Sequence, residues 1–222
     1  MSAPTLPSLA ELEPEPVARA PVPPVISVST GVLAAVAKWA NPDEVRLHLR
    51  LVVFRDRELI ATDGHRLVRV PCETHGYTFG VDRAHLLAAA SAQRELGVAR
   101  PHVIEISPDE PGRIQLRLTG PYALTTRRDV RMTVPAGRVD DYPPIEQVMP
   151  TPSKGVSPQG YVMDPRYLAA IEEVTAAMHP EAGRGVTLAA WCAPDAAGDL
   201  LGPMLFTNAG GARFVIMPMR AP

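Results

Sequence analysis

Cysteine is nearly absent from this chain. Cys72 and Cys192 are the only two, too few and too far apart in sequence for a disulfide framework or a thiolate metal site, and both are read as free buried thiols. The six histidines are scattered without an HExxH or similar ligand spacing, so neither a metal nor another cofactor is expected. No run of about eighteen apolar residues exists to span a bilayer, and the first residues lack a basic stretch followed by an apolar one, so the expectation is a cytoplasmic protein without a membrane segment or signal peptide. Basic excess is missing too: the formal net charge is −2, which gives no global attraction to nucleic acid. There is no GxxxxGK[ST] phosphate loop, no GxSxG elbow and no recognisable Cys–His pair, and Asp140-Asp141 stands without a partner acid. An enzyme is not expected.

What the chain has is an apolar content of 46% with mean hydropathy near zero, ordinary for one or two modest globular cores. Its prolines cluster. Pro4, Pro7, Pro14, Pro16, Pro21, Pro23 and Pro24 lie among acidic residues, a composition that cannot pack a core, so residues 1–25 are expected to form a disordered tail. A second cluster of turn formers, from Pro135 to Pro158, reads as an irregular linker.

Between and after these stretches a pattern repeats three times: a short apolar strand, a small polar cap and a Leu-Ala-Ala helix. The repeats begin at Ile26-Ser27-Val28-Ser29, at Tyr77 to Asp82 and at Tyr161-Val162-Met163-Asp164. Ser29, Asp82 and Asp164 are suited to cap helices over Thr30 to Ala40, Asp82 to Leu96 and Asp164 to Met178, with Pro165 at a first-turn position. Leu33, Val36, Ala37 and Ala40 fall on one stripe, as do Tyr167, Leu168, Ile171, Val174 and Met178. Strand candidates follow each helix: Val45 to Phe54, Glu58 to Thr62 and His65 to Val70; then His102 to Ile106, Arg113 to Leu118 and Tyr122 to Thr126; then Val186 to Trp191, Met204 to Thr207 and Arg213 to Met217. The unit is β-α-β-β-β and the fold class α+β.

Three segments stand out beside the repeat. Ala61 to Leu67, ATDGHRL, reads by itself as a hairpin whose Asp63-Gly64 turns the chain. Phe214 to Arg220, FVIMPMR, reads as an apolar edge strand, and Val139 to Pro150, VDDYPPIEQVMP, as linker. Taken together and in this order, they resemble the two lips and the connecting linker of the partner-binding pocket in bacterial DNA polymerase III beta sliding clamps. That resemblance implies a DNA-clamp-like fold of repeated β-α-β-β-β units and a processivity factor that tethers polymerase to DNA. Residues 26–147 resemble a whole middle clamp domain, 148–159 a linker, and 160–222 the second half of a last domain. In this family the pocket takes peptides of the type Gln-Leu-Ser/Asp-Leu-Phe from polymerases, clamp loaders and repair factors. Carried over residue by residue, the expected pocket is Leu47, Thr62, Gly64, His65, Arg66, Leu67, Pro150, Val215, Met217, Pro218, Met219 and Arg220. Methionine and leucine walls suit apolar peptide side chains, with Arg66 or Arg220 holding polar groups at the rim.

Family helices face DNA, and the candidates here are Lys38, Arg83, Arg94 and Arg166. With Asp82, Glu95, Asp164, Glu172 and Glu173 the three helices carry a net charge of −1, so phosphate contacts are sparse. Arg127, Arg128 and Arg131 read as a solvated strand end. Two functions follow from the resemblance: a DNA-encircling homo-oligomeric clamp of the nucleoid, or a clamp-derived adaptor that keeps the peptide pocket without the ring.

Overall fold

The computed structural model describes residues 24–43, 45–95, 103–119, 130–150, 163–180, 189–192 and 202–217, the side chains of 93–95, 119 and 189–192 apart. Three units succeed one another. The first is β1 (Ile26–Ser29), α1 (Thr30–Ala37), β2 (Leu51–Arg55), β3 (Glu58–Thr62) and β4 (Arg66–Pro71). The second is β5 (Phe79–Asp82), α2 (Arg83–Glu95), β6 (Val103–Pro108), β7 (Arg113–Thr119) and β8 (Val130–Pro135). The third comprises α3 (Pro165–Met178), β9 (Ala189–Cys192), β10 (Met204–Thr207) and β11 (Arg213–Ile216). The expected tail lies almost wholly outside the described residues, as do Tyr161 and Val162 of the strand expected before α3 and all of Tyr122 to Thr126. The strand that pairs with β7 is Val130–Pro135.

The first two units exchange their leading strands. β1 crosses to pair with β6, giving a four-stranded antiparallel sheet in the order β1-β6-β7-β8, while β5 crosses to pair with β2. The third unit then adds its strands beside β4, so the second sheet has seven strands in the order β5-β2-β3-β4-β11-β10-β9. Neither sheet could be assembled from one unit alone.

Alternation along the strands explains why these segments carry apolar residues on both faces. Val52, Phe54, Leu59, Ala61, Val68, Phe206, Phe214 and Ile216 face a core shared by both sheets and all three helices. Their neighbours Leu51, Val53, Ile60, Leu67, Leu205 and Val215 face the other way, where Tyr142 and Ile145 of the linker cover them. Trp39, fully buried at the end of α1, packs its ring 5.5 Å from that of Phe214, tying the first unit to the third.

Local chemistry sets the boundaries. α1 stops at Ala37, short of the expected Ala40, because the chain tightens there: the Trp39 N–H donates to the Val36 carbonyl at 2.9 Å, and Pro42 follows. Ser29 occupies the cap position of α1 but makes no side-chain capping bond. Asp82 and Asp164 do cap, accepting the N–H groups of Ala84 at 2.8 Å and Arg166 at 2.9 Å. The expected strand from Val45 begins only at Leu51, since Leu47–Arg50 forms a 3₁₀ turn. Of the α3 stripe, Ile171 and Val174 are buried while Leu168 is exposed, and Cys72 is a free, half-buried thiol.

After β8 the chain leaves its own sheet and docks on the other one. Gly137 and β5 residue Gly80 exchange backbone hydrogen bonds of 2.8 and 3.3 Å. Both sit tightly against Leu51: a β-carbon would come within 2.9 Å of a Leu51 methyl at Gly80 and 2.5 Å at Gly137, so the Leu51 side chain would have to shift. This contact aims the linker across the outer face of the seven-stranded sheet.

Candidate functional site

The β3–β4 hairpin is held by its own tip. The Asp63 carboxylate accepts the N–H groups of His65 and Arg66 at 2.9 and 3.0 Å, and Gly64 takes a φ of 92° that a larger residue would resist. The Thr62 hydroxyl donates to the Arg66 carbonyl at 2.7 Å and accepts the Gly64 N–H at 3.1 Å. Beside it β11 runs antiparallel to β4, with Val215 opposite Leu67, and just past the strand the Met217 N–H donates to the His65 carbonyl at 2.9 Å. The third wall is the linker. Ile145–Val148 forms a 3₁₀ turn with Ile145 buried on the outer sheet face, while the Glu146 carboxylate reaches Arg55 at 3.4 Å and Arg69 at 3.5 Å.

These three walls enclose an open cavity of about 240 Å³, lined by Thr62, Gly64, His65, Arg66, Leu67, Pro143, Pro144, Ile145, Gln147, Val148, Val215 and Met217. Most of the lining is apolar, and it includes the exposed side chains of Met217 and Val148. Thr62, Gly64, His65, Arg66, Leu67, Val215 and Met217, all named from the sequence, come together here. Leu47 does not line the cavity; it points into solvent, and Leu49 is the residue of that turn packed near Gly64. Pro150 is buried but is not part of the lining. Pro218, Met219 and Arg220 lie outside the described residues. Pro143, Pro144, Ile145, Gln147 and Val148 were missed, although the linker motif contained them all.

Arg66 is not a free rim cation. Its Nε donates to Asp63 at 2.9 Å and its Nη2 to the Lys38 carbonyl at 2.9 Å, while Cζ lies 4.9 Å from the Trp39 ring centre and 5.3 Å from that of Tyr167. One guanidinium therefore joins the hairpin, the end of α1 and α3. Burial raises the Tyr167 phenol above its ordinary range, with the Asp63 carboxylate adding to the effect.

The candidate DNA-facing cations are largely occupied. Lys38 pairs with Glu173 across the α1–α3 contact, and Arg166 forks onto Asp164, whose carboxyl is held below its usual range by that guanidinium's hydrogen bonds. The Arg83 Nε donates to the Ala37 carbonyl at 3.2 Å, and burial lowers its affinity for a proton. The Arg94 side chain is outside the described residues. Among the described residues no cluster of His, Cys, Asp and Glu could hold a metal ion, and no helix is long and apolar enough to cross a membrane.

No protein-family model and no curated protein matches the sequence. Solved structures do. The C. crescentus beta sliding clamp, solved with PEG bound, superposes with a TM-score of 0.56 at 16% identity, covering 93% of this chain and 69% of that one. The DNA polymerase III beta subunit of Thermotoga maritima gives a TM-score of 0.49 at 16% identity, over 96% of this chain and 70% of that one. A. fulgidus PCNA, bound to the C-terminal region of FEN-1, gives 0.50 at 12% identity, over 89% and 99%. This chain is similar to bacterial beta sliding clamps in structure and has the sliding-clamp fold, α+β with two antiparallel sheets and three described helices.

Proposed function

We propose that this protein is a sliding-clamp-like factor of DNA replication or repair, cytoplasmic and nucleoid-associated, that binds short peptide motifs of polymerases, clamp loaders or repair proteins in the cavity between β4, β11 and the linker turn. It is a binding protein and not an enzyme. The observation that carries this reading is the apolar cavity itself, built on a clamp fold from strands at two ends of the chain. Two structural neighbours add support: one clamp was solved with the C-terminal region of FEN-1 bound, the other with PEG at its proposed beta-motif tethering region. Titrating a labelled Gln-Leu-Ser-Leu-Phe peptide should give saturable binding with a dissociation constant of about a micromolar, as suits a small apolar site ordering a flexible chain. Absence of saturation at about a millimolar sinks the proposal. Met217→Ala should weaken binding at least about tenfold without loss of fold, since Met217 is exposed at the rim.

A second reading, a peptide-binding adaptor that does not encircle DNA, is favoured by the pairing of Lys38 with Glu173 and of Arg166 with Asp164. Cations already neutralised release few counterions on DNA. The isolated protein should bind linear duplex weakly or not at all at physiological salt, and submicromolar binding with a steep salt dependence would overturn the adaptor reading. In domain terms, residues 26–147 act as one complete clamp-like domain and 160–222 as half of another, an arrangement that favours homo-oligomers.

A further inference from the structure

The outer face of the seven-stranded sheet has an apolar part and a charged part. Leu67 of β4 and Val215 of β11 belong to the first and line the cavity. Two positions further along the same ladder, on the same face, Arg69 stands directly opposite Arg213. Like charges in that relation repel. The Glu58 carboxylate of β3 meets both, one oxygen accepting the Arg69 Nε–H at 2.6 Å and the other pairing with Arg213. Arg55 of β2 is directly opposite Glu58 in the strand register, yet its guanidinium turns to Asp56 of the adjoining turn at 3.6 Å and to Glu146 of the linker at 3.4 Å. Across β2, β3, β4 and β11 the sheet face thus presents three guanidiniums and one carboxylate. The linker turn brings another carboxylate.

Glu146 sits between Arg55 and Arg69, at 3.4 and 3.5 Å, with one oxygen toward each. The residue before it, Ile145, is buried on the apolar part of the face. Apolar burial is non-directional, so Ile145 by itself holds the turn against the sheet without fixing its register along the strands. A carboxylate between two guanidiniums does fix it. Gln147 and Val148, the next two residues, then line the cavity, whereas the Glu146 side chain does not. We propose that Glu146 is a positioning residue: by bridging Arg55 and Arg69 it sets the linker turn in register as the third wall of the cavity, without touching a bound peptide. Its effect on binding rests on the peptide-binding reading above; its effect on the turn does not.

Exposure sets the size of the effect. The Glu146 side chain is 61% exposed and that of Arg69 11%. An ion pair with one solvated partner holds a position weakly, so its loss should cost about fivefold in affinity rather than abolish binding. Salt should screen it, which an ordinary packing contact would not show.

The test compares the full chain with Glu146→Gln, which keeps the shape of the side chain and removes its charge. Both are titrated calorimetrically with Gln-Leu-Ser-Leu-Phe blocked at its two ends, an uncharged probe, at about 50 mM and about 1 M sodium chloride, where the Debye length falls to about 3 Å. At the lower salt Glu146→Gln should bind about fivefold more weakly, and at the higher the two proteins should agree within about twofold. Without peptide, at the lower salt, the Gln147 N–H, which donates to the Pro144 carbonyl at 3.2 Å, should exchange with solvent about fivefold faster in Glu146→Gln, while that of Leu205 in β10 stays unchanged. Equal affinity at low salt, a difference that persists at high salt, or unchanged Gln147 exchange overturns the inference and leaves the peptide-binding proposal standing. If the unaltered protein binds no peptide, the peptide-binding reading fails, and Gln147 exchange alone decides this one: faster exchange in Glu146→Gln sustains it and an unchanged rate rejects it.

Discussion

Leu67 of β4 stands directly opposite Val215 of β11, both on the outer face of the seven-stranded sheet, where they form the floor of the cavity. One comes from the first unit and the other from the third. Their pairing is one of the contacts that join the third unit to the rest, so the floor of the site is part of the joint between units. A disturbance of the joint is therefore expected to reach the cavity, and the first prediction uses the residue that spans it.

Arg66 links the hairpin, α1 and α3 through two hydrogen-bonded partners and two aromatic faces. Arg66→Ala should destabilise the protein by about 1–3 kcal/mol, the range for lost charge-assisted hydrogen bonds together with a cation–π contact. Arg66→Lys should recover little, since one ammonium cannot bond both the Asp63 carboxylate and the Lys38 carbonyl while staying beside the Trp39 and Tyr167 rings. Urea unfolding checks both. Full recovery by lysine would show that charge alone matters at this position.

Gly137 is closed on by Leu51, whose Cδ2 would lie 2.5 Å from an added β-carbon. Gly137→Ala should cost about 1–3 kcal/mol by overpacking, and Leu51→Ala, although destabilising alone, should make the second substitution nearly free. Thermal unfolding of the four proteins in this cycle gives the coupling. Simple additivity would mean that the linker is not docked at this bridge.

Burial, with the Glu73 carboxylate as a lesser contributor, pushes the Cys72 thiol up from its ordinary value of 9.0 to about 11. The folded state thus holds this proton more tightly than the unfolded chain does. The resulting stability is fully present below about pH 9 and is lost as pH rises through about 11. Urea midpoints measured from pH 8 to 11 should fall across that window, and Cys72→Ala should flatten that part of the fall. At pH 8 iodoacetamide should also label Cys72 more slowly than a free thiol, read by peptide mapping.

Assembly follows from how the first two units complete each other. Each sends its leading strand to the other's sheet, and α1 packs between α2 and α3. The third unit has one such neighbour, and among the described residues nothing pairs with the outer edge of β9, while Leu168 on α3 is 44% exposed. Twofold pairing of third units would cover an edge that otherwise invites association. Light scattering at about 100 micromolar should report a dimer, and Leu168→Glu should shift it toward monomer while the circular dichroism spectrum stays unchanged. A strictly monomeric mass for the unaltered protein rejects the pairing and leaves the cavity proposal untouched.

Sequence by itself determined the units. A period of two in the strands, a helical stripe through Leu33, Val36 and Ala37, and the caps at Asp82 and Asp164 are local signals, written by burial and by backbone groups within a few residues of one another. The resemblance of the motifs to clamp-pocket segments also placed seven cavity residues, whereas the hairpin tip from Thr62 to Leu67 carries only its own turn geometry in its residue types. Tertiary structure decided what those units do together. That Arg66 is engaged and Glu146 anchored, that the linker turn is a wall, that Leu47 faces solvent and that Lys38 meets Glu173 depend on groups far apart in the chain. Whether a side chain is free or already bonded is a property of its surroundings, and those exist only once β11 has paired with β4 and the linker has crossed the sheet.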